Sequence, residues 1–388
     1  MDFNLSQEQK MLQEAVIKFV LKEWEPNTQE IDESNKFHMW LWRRFRDLSW
    51  CGMMIPKEYG GAGMTLLDTC IALESMVHAG GDVGTTLGLA THLSIGSIPL
   101  LVCGNDEQKK RFLPKIATGE WQSCFMLTEP NVGSDATGVE TVAVREGDGY
   151  ILNGTKTFIT NAPTADVGMI MASTDRSKGA KGLTAFMIDM RAPGVKVGPS
   201  FDKIGPRGSE QAEVYLENVK VPLKDRILEE GDGFIKVGVQ NLEYERSCLT
   251  SIWTGLLGYN IDLAVKYAKE RKQFGNPIIQ YAQIRDRIAQ MQIEYDICKL
   301  LMYRAASKKD AGEQAPLEAT EFKVYVGQCG MRSAMEAMQI FGGYGLIKEY
   351  KIERSLRDAK LAQLGAGTEQ VLMEIIARMV TGTRSLTI

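Results

Sequence analysis

Apolar residues recur at helical spacing through the first hundred positions. Met11, Ala15, Val16, Phe19 and Val20 share one face of a 3.6-residue turn, which predicts a helix. Ser6 with Gln9 three residues on makes a capping box at its start, with Leu5 placed as a staple. The stretch PKEYGGAG (56–63) breaks the pattern. Helical spacing resumes over 66–77, until Gly80, Gly81 and Gly84 interrupt it. Near residue 121 the period changes to that of strands. Val139, Val142 and Val144 lead to a turn at Gly147-Asp148-Gly149. Tyr150, Ile151 and Leu152 lead to Asn153-Gly154, which reads as a type I′ hairpin turn. Thr155, Thr157 and Ile159 continue beyond it, and 169–171, 184–188 and 214–216 are further short strands. Helical patterning returns near residue 232. Leu249, Ile252, Trp253, Leu256 and Leu257 form one apolar stripe, and long amphipathic stretches cover 284–308 and 317–341. The pattern predicts an α+β multidomain chain: an N-terminal helical domain (1–120), a central β-barrel or sandwich-like domain (121–230) and a C-terminal helical bundle (231–388).

Composition narrows the function classes. The chain has 388 residues and a net charge of −4 from 45 basic and 49 acidic side chains, so it shows no electrostatic footprint for nucleic acid. No apolar run approaches the ~18 residues of a membrane span. The polar start MDFNLSQEQK does not read as a secretory signal. A bacterial cytoplasm is the expected location, and a mature mitochondrial matrix form would look the same. Seven scattered cysteines without a CxxC pair read as reduced, buried thiols. Three histidines and no HExxH argue against zinc. The P-loop, the GxGxxG fingerprint and the GxSxG elbow are all absent.

Glu245 is the first candidate for chemistry. It lies four residues before Leu249 and about two turns before Ile252 and Trp253, on the apolar stripe. Burial would raise its pKa and make it a usable base near neutrality; the alternative is a buried pair with Arg246 or another arginine. The segment FMLTEPNVGSD (125–135) joins a strand-like start to a glycine-serine turn whose N–H groups can hold phosphate oxygens. FITN (158–161), QIFGGYG (339–345) and GAGTEQ (365–370) carry weaker signals, and their glycines can equally end helices.

In order and combination these segments resemble the acyl-CoA dehydrogenase family over essentially the whole chain. TEPNVGSD (128–135) resembles that family's TEPxxGSD, and FITN its WITN, with Phe158 for the usual Trp. RKQFG (271–275), QIFGGYG and RDAK (357–360) followed by GAGTEQ complete the set. The resemblance implies FAD as cofactor, a C-terminal four-helix bundle, a homotetramer whose neighbouring subunits complete each FAD site, and an electron-transferring flavoprotein as acceptor. Carried over by position, Phe125, Leu127, Thr128, Gly133 and Ser134 would line the flavin and its pyrophosphate. Phe158, Ile159 and Thr160 would lie behind the isoalloxazine, with Thr160 near N5. Arg271, Phe274, Gln339, Ile340, Gly342 and Gly343 would hold the FAD of a neighbouring subunit, and Thr368 and Gln370 the adenosine side.

The resemblance also locates a base. Many members carry Tyr-Glu-Gly-Thr at the last motif, with that Glu as base; here Gly365-Ala366-Gly367-Thr368 stands there. A minority, isovaleryl-CoA dehydrogenase among them, place the base in an earlier Glu-Arg pair, which Glu245-Arg246 matches. Glu243 and Glu369 are rivals, as is a reaction without a base. Ser134, Glu243, Arg246, Leu249, Trp253, Gly365, Ala366 and Gly367 are the substrate candidates, with Leu87, Leu89 and Ile252 as further walls. Gly365 and Ala366 replace bulkier residues, so the expected acyl group is branched, alicyclic or aromatic. Thr86 stands where the glutaryl-CoA enzyme carries an arginine, and Ala282 where many relatives carry a glutamine. The expected reaction is α,β-dehydrogenation of an acyl-CoA to the 2-enoyl-CoA, with hydride passing to flavin N5. The alternatives are other flavin chemistry (enoyl-CoA reductase, acyl-CoA oxidase or desulfinase) and a catalytically silent assembly subunit.

Overall fold

The computed structural model describes residues 4–383. Helix α1 (Gln7–Phe19) opens at Ser6, whose hydroxyl accepts from the Gln9 N–H while the Gln9 side chain returns to the Ser6 N–H. The remaining helices of this part are α2 (Thr28–Ser34), α3 (Met39–Asp47), α4 (Leu66–His78), α5 (Val83–Leu93), α6 (Ile98–Cys103) and α7 (Asp106–Ala117). Asp82 caps α5. One of its oxygens accepts the Thr85 N–H at 2.7 Å and the other the Trp24 indole at 2.9 Å. Every residue of α5 is buried. The stretch Val83–Cys103 is long and apolar enough to cross a membrane by length and composition, which corrects the expectation that no run of that size exists. It is mostly buried inside the protein, where an all-round apolar helix belongs in a core.

The central part is a single mixed sheet. Its strands are β1 (Ser123–Met126), β2 (Val142–Glu146), β3 (Gly149–Thr160), β4 (Val167–Ser173), β5 (Leu183–Asp189), β6 (Val195–Val197), β7 (Gln211–Pro222) and β8 (Arg226–Ile227). The order is β6-β7-β3-β2-β4-β5-β8, with β1 parallel to β4. The turn at Gly147 forms as the sequence predicts, with φ 58°. Asn153-Gly154 does not turn. Strand β3 runs straight through it, and its register against β7 shifts between Leu152 and Gly154. Asn153 Oδ1 instead accepts the Asn218 N–H across the sheet at 2.8 Å. A Cβ on Gly154 would lie 2.4 Å from Thr141 Oγ1, so this glycine serves a close approach.

The C-terminal part begins with a wide i→i+5 coil (Gly233–Gly238), then α8 (Val239–Tyr244), a second wide coil (Glu245–Leu249) and α9 (Ser251–Glu270). Helices α10 (Ala282–Asp310), α11 (Pro316–Phe341), α12 (Ile352–Ala362) and α13 (Glu369–Thr381) complete it. Helices α9, α10 and α11 pack on one another, and α4 packs on α9 and α10. The N- and C-terminal helices therefore share one apolar core, whereas the sheet has its own.

Candidate active site

Glu245 opens the second wide coil, where the helix takes an extra residue per turn. This coil packs on α4, α5 and α11. Burial pushes the Glu245 carboxyl up, and the opposing positive charges of Arg246 and Lys323 do not cancel that. Among the described residues no hydrogen bond holds its carboxylate. The rival acids are engaged elsewhere. Glu243 turns to Lys309 Nζ at 2.9 Å and accepts the Ala315 N–H at 3.0 Å. Glu369 accepts from the Gln328 amide and begins α13.

The loop 365–368 faces the same place. Ala366 and Gly367 both have positive φ, 57° and 96°. For alanine that conformation is strained and must be held by its surroundings. Arg246, 7% exposed, holds it: Nε donates to Ala366 O at 3.4 Å and Nη1 to Thr320 Oγ1 at 3.1 Å. Lys323 Nζ donates to Gly367 O. The N–H groups of Ala366, Gly367 and Thr368 donate to no protein acceptor among the described residues. A half-buried base whose pKa is raised, near free, fixed N–H donors, can deprotonate carbon next to a carbonyl while the donors receive the carbonyl oxygen.

The sheet motifs form a second group of candidate contacts. Glu129 and Lys156 make a buried ion pair at 2.6 Å, and Lys156 Nζ also donates to Leu127 O at 3.0 Å. Burial opposes the charge on Glu129, but Lys156 and the N–H groups of Thr141 and Glu140 outweigh it and hold the carboxyl down. The Thr157 N–H reaches Thr128 O at 2.9 Å. The pair thus ties 127–129 to 156–157. Beyond it Phe158 stands 61% exposed at φ 56°, and Thr160 Oγ1 accepts the Gln211 amide at 2.8 Å. The N–H groups of Thr128, Gly133 and Ser134 donate to no protein acceptor among the described residues. An exposed ring in a strained conformation and a row of free donors fit a flat heteroaromatic cofactor with a pyrophosphate. Phe125, Leu127 and Thr128 are half-buried, and Gly133 and Ser134 are exposed. Ile159 turns its side chain into the sheet's core.

Helix α5 touches both groups. Gly88 O accepts the Asn161 amide at 2.9 Å, and His92 Nδ1 accepts the Ser123 N–H at 3.1 Å. A Cβ on Gly88 would lie 3.0 Å from Asn161 Oδ1. The glycine therefore allows this contact, while the Glu245 coil packs on the same helix.

A separate cavity of about 640 Å³ is lined by Arg271, Phe274, Ile340, Gly342, Gly343 and Tyr344. Phe274 is 93% exposed, the Arg271 guanidinium lies 5.5 Å from the Tyr344 ring, and Gln339 is exposed nearby in sequence. The structure does not bring this set to Glu245. Thr368 caps α13 through the Val371 N–H and Gln370 is exposed. Leu249, Trp253, Leu87, Leu89 and Ile252 are buried in the shared helical core, with the Trp253 indole on Asp358 O at 3.3 Å. Lys323 is the site residue that sequence reasoning missed. Its sole signal was helical spacing from Thr320 on a stripe that is otherwise apolar.

This architecture and site define a flavoenzyme that acts beside a carbonyl. Residues 6–120, 124–219 and 231–381 match the N-terminal, middle and C-terminal domains of acyl-CoA dehydrogenase. The chain belongs to the acyl-CoA dehydrogenase family of oxidoreductases. It is 38% identical to a 3-(aryl)acrylate reductase of Clostridium sporogenes over 96% of this chain and 98% of that protein. It is likewise 38% identical to the CarC subunit of the caffeyl-CoA reductase–Etf complex of Acetobacterium woodii, over 97% and 98%. The butyryl-CoA dehydrogenase structure from Megasphaera elsdenii superposes with a TM-score of 0.95 at 34% identity, covering 98% and 100% of the two chains.

Proposed function

We propose that the protein binds FAD and dehydrogenates an acyl-CoA thioester with a branched, alicyclic or aromatic acyl group to its 2-enoyl-CoA. The half-buried Glu245, whose carboxylate has no hydrogen-bond partner among the described residues, together with the free N–H groups of 366–368 carries this reading. A thioester α-proton is weakly acidic. Its removal needs a desolvated carboxylate and a polarised carbonyl together. Glu245 takes the α-proton at its carboxylate, and the Ala366 or Gly367 N–H receives the thioester oxygen. Bound FAD would supply the acceptor for the β-hydride, and an electron-transferring flavoprotein would take the electrons onward. Phe125, Leu127, Thr128, Gly133, Ser134, Phe158 and Thr160 would hold the flavin through side chain or backbone, and the backbone of Ile159 would join them. The Arg271–Phe274 cavity would take part of the FAD of a neighbouring subunit in a homotetramer.

Gly365 bears on the acyl group. A Cβ there would meet only Leu361 at ordinary contact, 3.6 Å, so neither packing nor a positive φ requires glycine. The missing side chain leaves room for substrate. A second reading is the same chemistry run toward reduction, because two relatives at 38% identity are named as reductases of an aryl acrylate and of caffeyl-CoA.

The test is an anaerobic titration of the FAD-loaded protein with isovaleryl, isobutyryl, butyryl, octanoyl, cyclohexanecarboxyl and phenylpropionyl thioesters. Bleaching of the flavin band by the bulky members, and weaker bleaching by butyryl, is expected. Bleaching by none, with reoxidation of a chemically bleached flavin by an aryl enoyl-CoA, would establish the reductive reading. A protein unable to take up FAD would overturn both.

A further inference from the structure

Lys323 is a buried cation that the reaction as described does not use. It sits on α11, 2% exposed, one turn after Thr320, so both side chains reach the same face. Its one hydrogen-bond partner among the described residues is Gly367 O, and no carboxylate lies within ion-pair distance. An ammonium buried with a single backbone acceptor is costly, and burial lowers the Lys323 pKa to about 8. The charge has two neighbours that matter. Arg246 donates to Ala366 O while Lys323 donates to Gly367 O, so two cations grip successive carbonyls of one strained turn. Ala366 O shares its peptide unit with the Gly367 N–H, and Gly367 O shares its unit with the Thr368 N–H, so Arg246 backs the first donor and Lys323 the second. A cation on the carbonyl polarises the N–H of its own amide and strengthens the hydrogen bond that it gives. Glu245 is the other neighbour, and Lys323 and Arg246 are the two positive charges that act on its carboxylate.

We propose that Lys323 is a positioning residue for the reaction. With Arg246 it clamps the Ala366–Gly367 turn, fixes the orientation of the N–H groups that receive the thioester oxygen, and supplies positive charge to Glu245. This rests on the assignment of Glu245 as base. Its logic follows the movement of charge. Before proton transfer the negative charge is on Glu245, and afterwards it lies on the carbonyl oxygen at the turn. Lys323 acts on the first charge electrostatically and grips the turn that receives the second, so its favourable interaction persists through the step. The ionisable groups beside the neighbours of Glu245 are Glu243 at Arg246, Lys309 and Asp310 at Tyr244, Cys70 at Ser247 and Glu369 at Lys323, and Arg246 lies on its own segment. Of these, Arg246 alone is a second positive charge acting on Glu245.

The test compares Lys323→Met and Lys323→Arg in the FAD-loaded enzyme, using the acyl-CoA that bleaches the wild type best. Lys323→Met is expected to lower kcat about ten- to a hundredfold. Losing the charge also raises the Glu245 pKa, so the acidic limb of the kcat profile moves to higher pH, by about one unit. Lys323→Arg keeps charge and donor, and restores most of kcat and the position of the limb. If Lys323→Met holds FAD and shows unchanged kcat and an unmoved limb, the inference is wrong. A loss of thermal stability with no shift in the limb also overturns it. Should the Met variant not fold, Lys323→Gln keeps a donor for Gly367 without the charge, and the same limb decides. Glu245→Gln run alongside separates the claims. Full turnover in that variant removes the base assignment. An inactive Glu245→Gln with an unaffected Lys323→Met removes only the role of Lys323.

Discussion

Glu245 shows how a function is set against stability in one side chain. Its folded pKa is raised by burial, above that of the unfolded chain. The folded state therefore binds the proton more tightly. The group's contribution to stability is fully present below the ordinary glutamate range and is lost as pH rises through the raised pKa. Glu245→Gln carries no such penalty. At neutral pH it should melt above the wild type, by on the order of 2 °C, and near pH 4 the two should coincide. Equal melting temperatures at both pH values would mean that the carboxylate is solvated. Glu245 was legible in the sequence because a carboxylate interrupted an apolar stripe. Lys323 was not, because lysines on an amphipathic helix ordinarily lie in solvent, and only the packing of α11 against the 366–367 turn buries this one.

Elements place these residues at workable distances. The wide coil at Glu245–Leu249 inserts a residue where sequence periodicity reads a regular helix, because the 3.6-residue pattern does not distinguish the two windings locally. Asn153-Gly154 reads as a turn by local chemistry, and strand pairing on both sides of β3 overrides it. The Glu129–Lys156 pair was invisible in sequence, since its partners are 27 residues apart and on different segments. It ties the loop after β1 to β3, and both carry candidate flavin contacts. Replacing Lys156 with Met leaves Glu129 buried and unpaired. This should cost about 3–5 kcal/mol of stability and weaken FAD binding, measured by denaturant melts and by flavin release on dilution. Unchanged FAD affinity in a folded Lys156→Met variant would show that the pair supports the sheet alone.

At the scale of the molecule, the order α, β, α was readable because the period of the apolar positions changes twice along the chain. The sharing of one core by the N- and C-terminal helices was not, because α4 and α9 meet across the whole intervening sheet in sequence. That sharing lets α5 carry both the sheet's Asn161 contact and the Glu245 coil. The central claim is that Glu245 abstracts the α-proton in this space. Rapid mixing of the FAD-loaded protein with its best acyl-CoA, without oxygen, tests it directly through the rate of flavin bleaching. Glu245→Gln, with FAD bound and substrate affinity retained, should bleach at least about a thousandfold more slowly than the wild type. Bleaching of that variant at the wild-type rate would contradict the account.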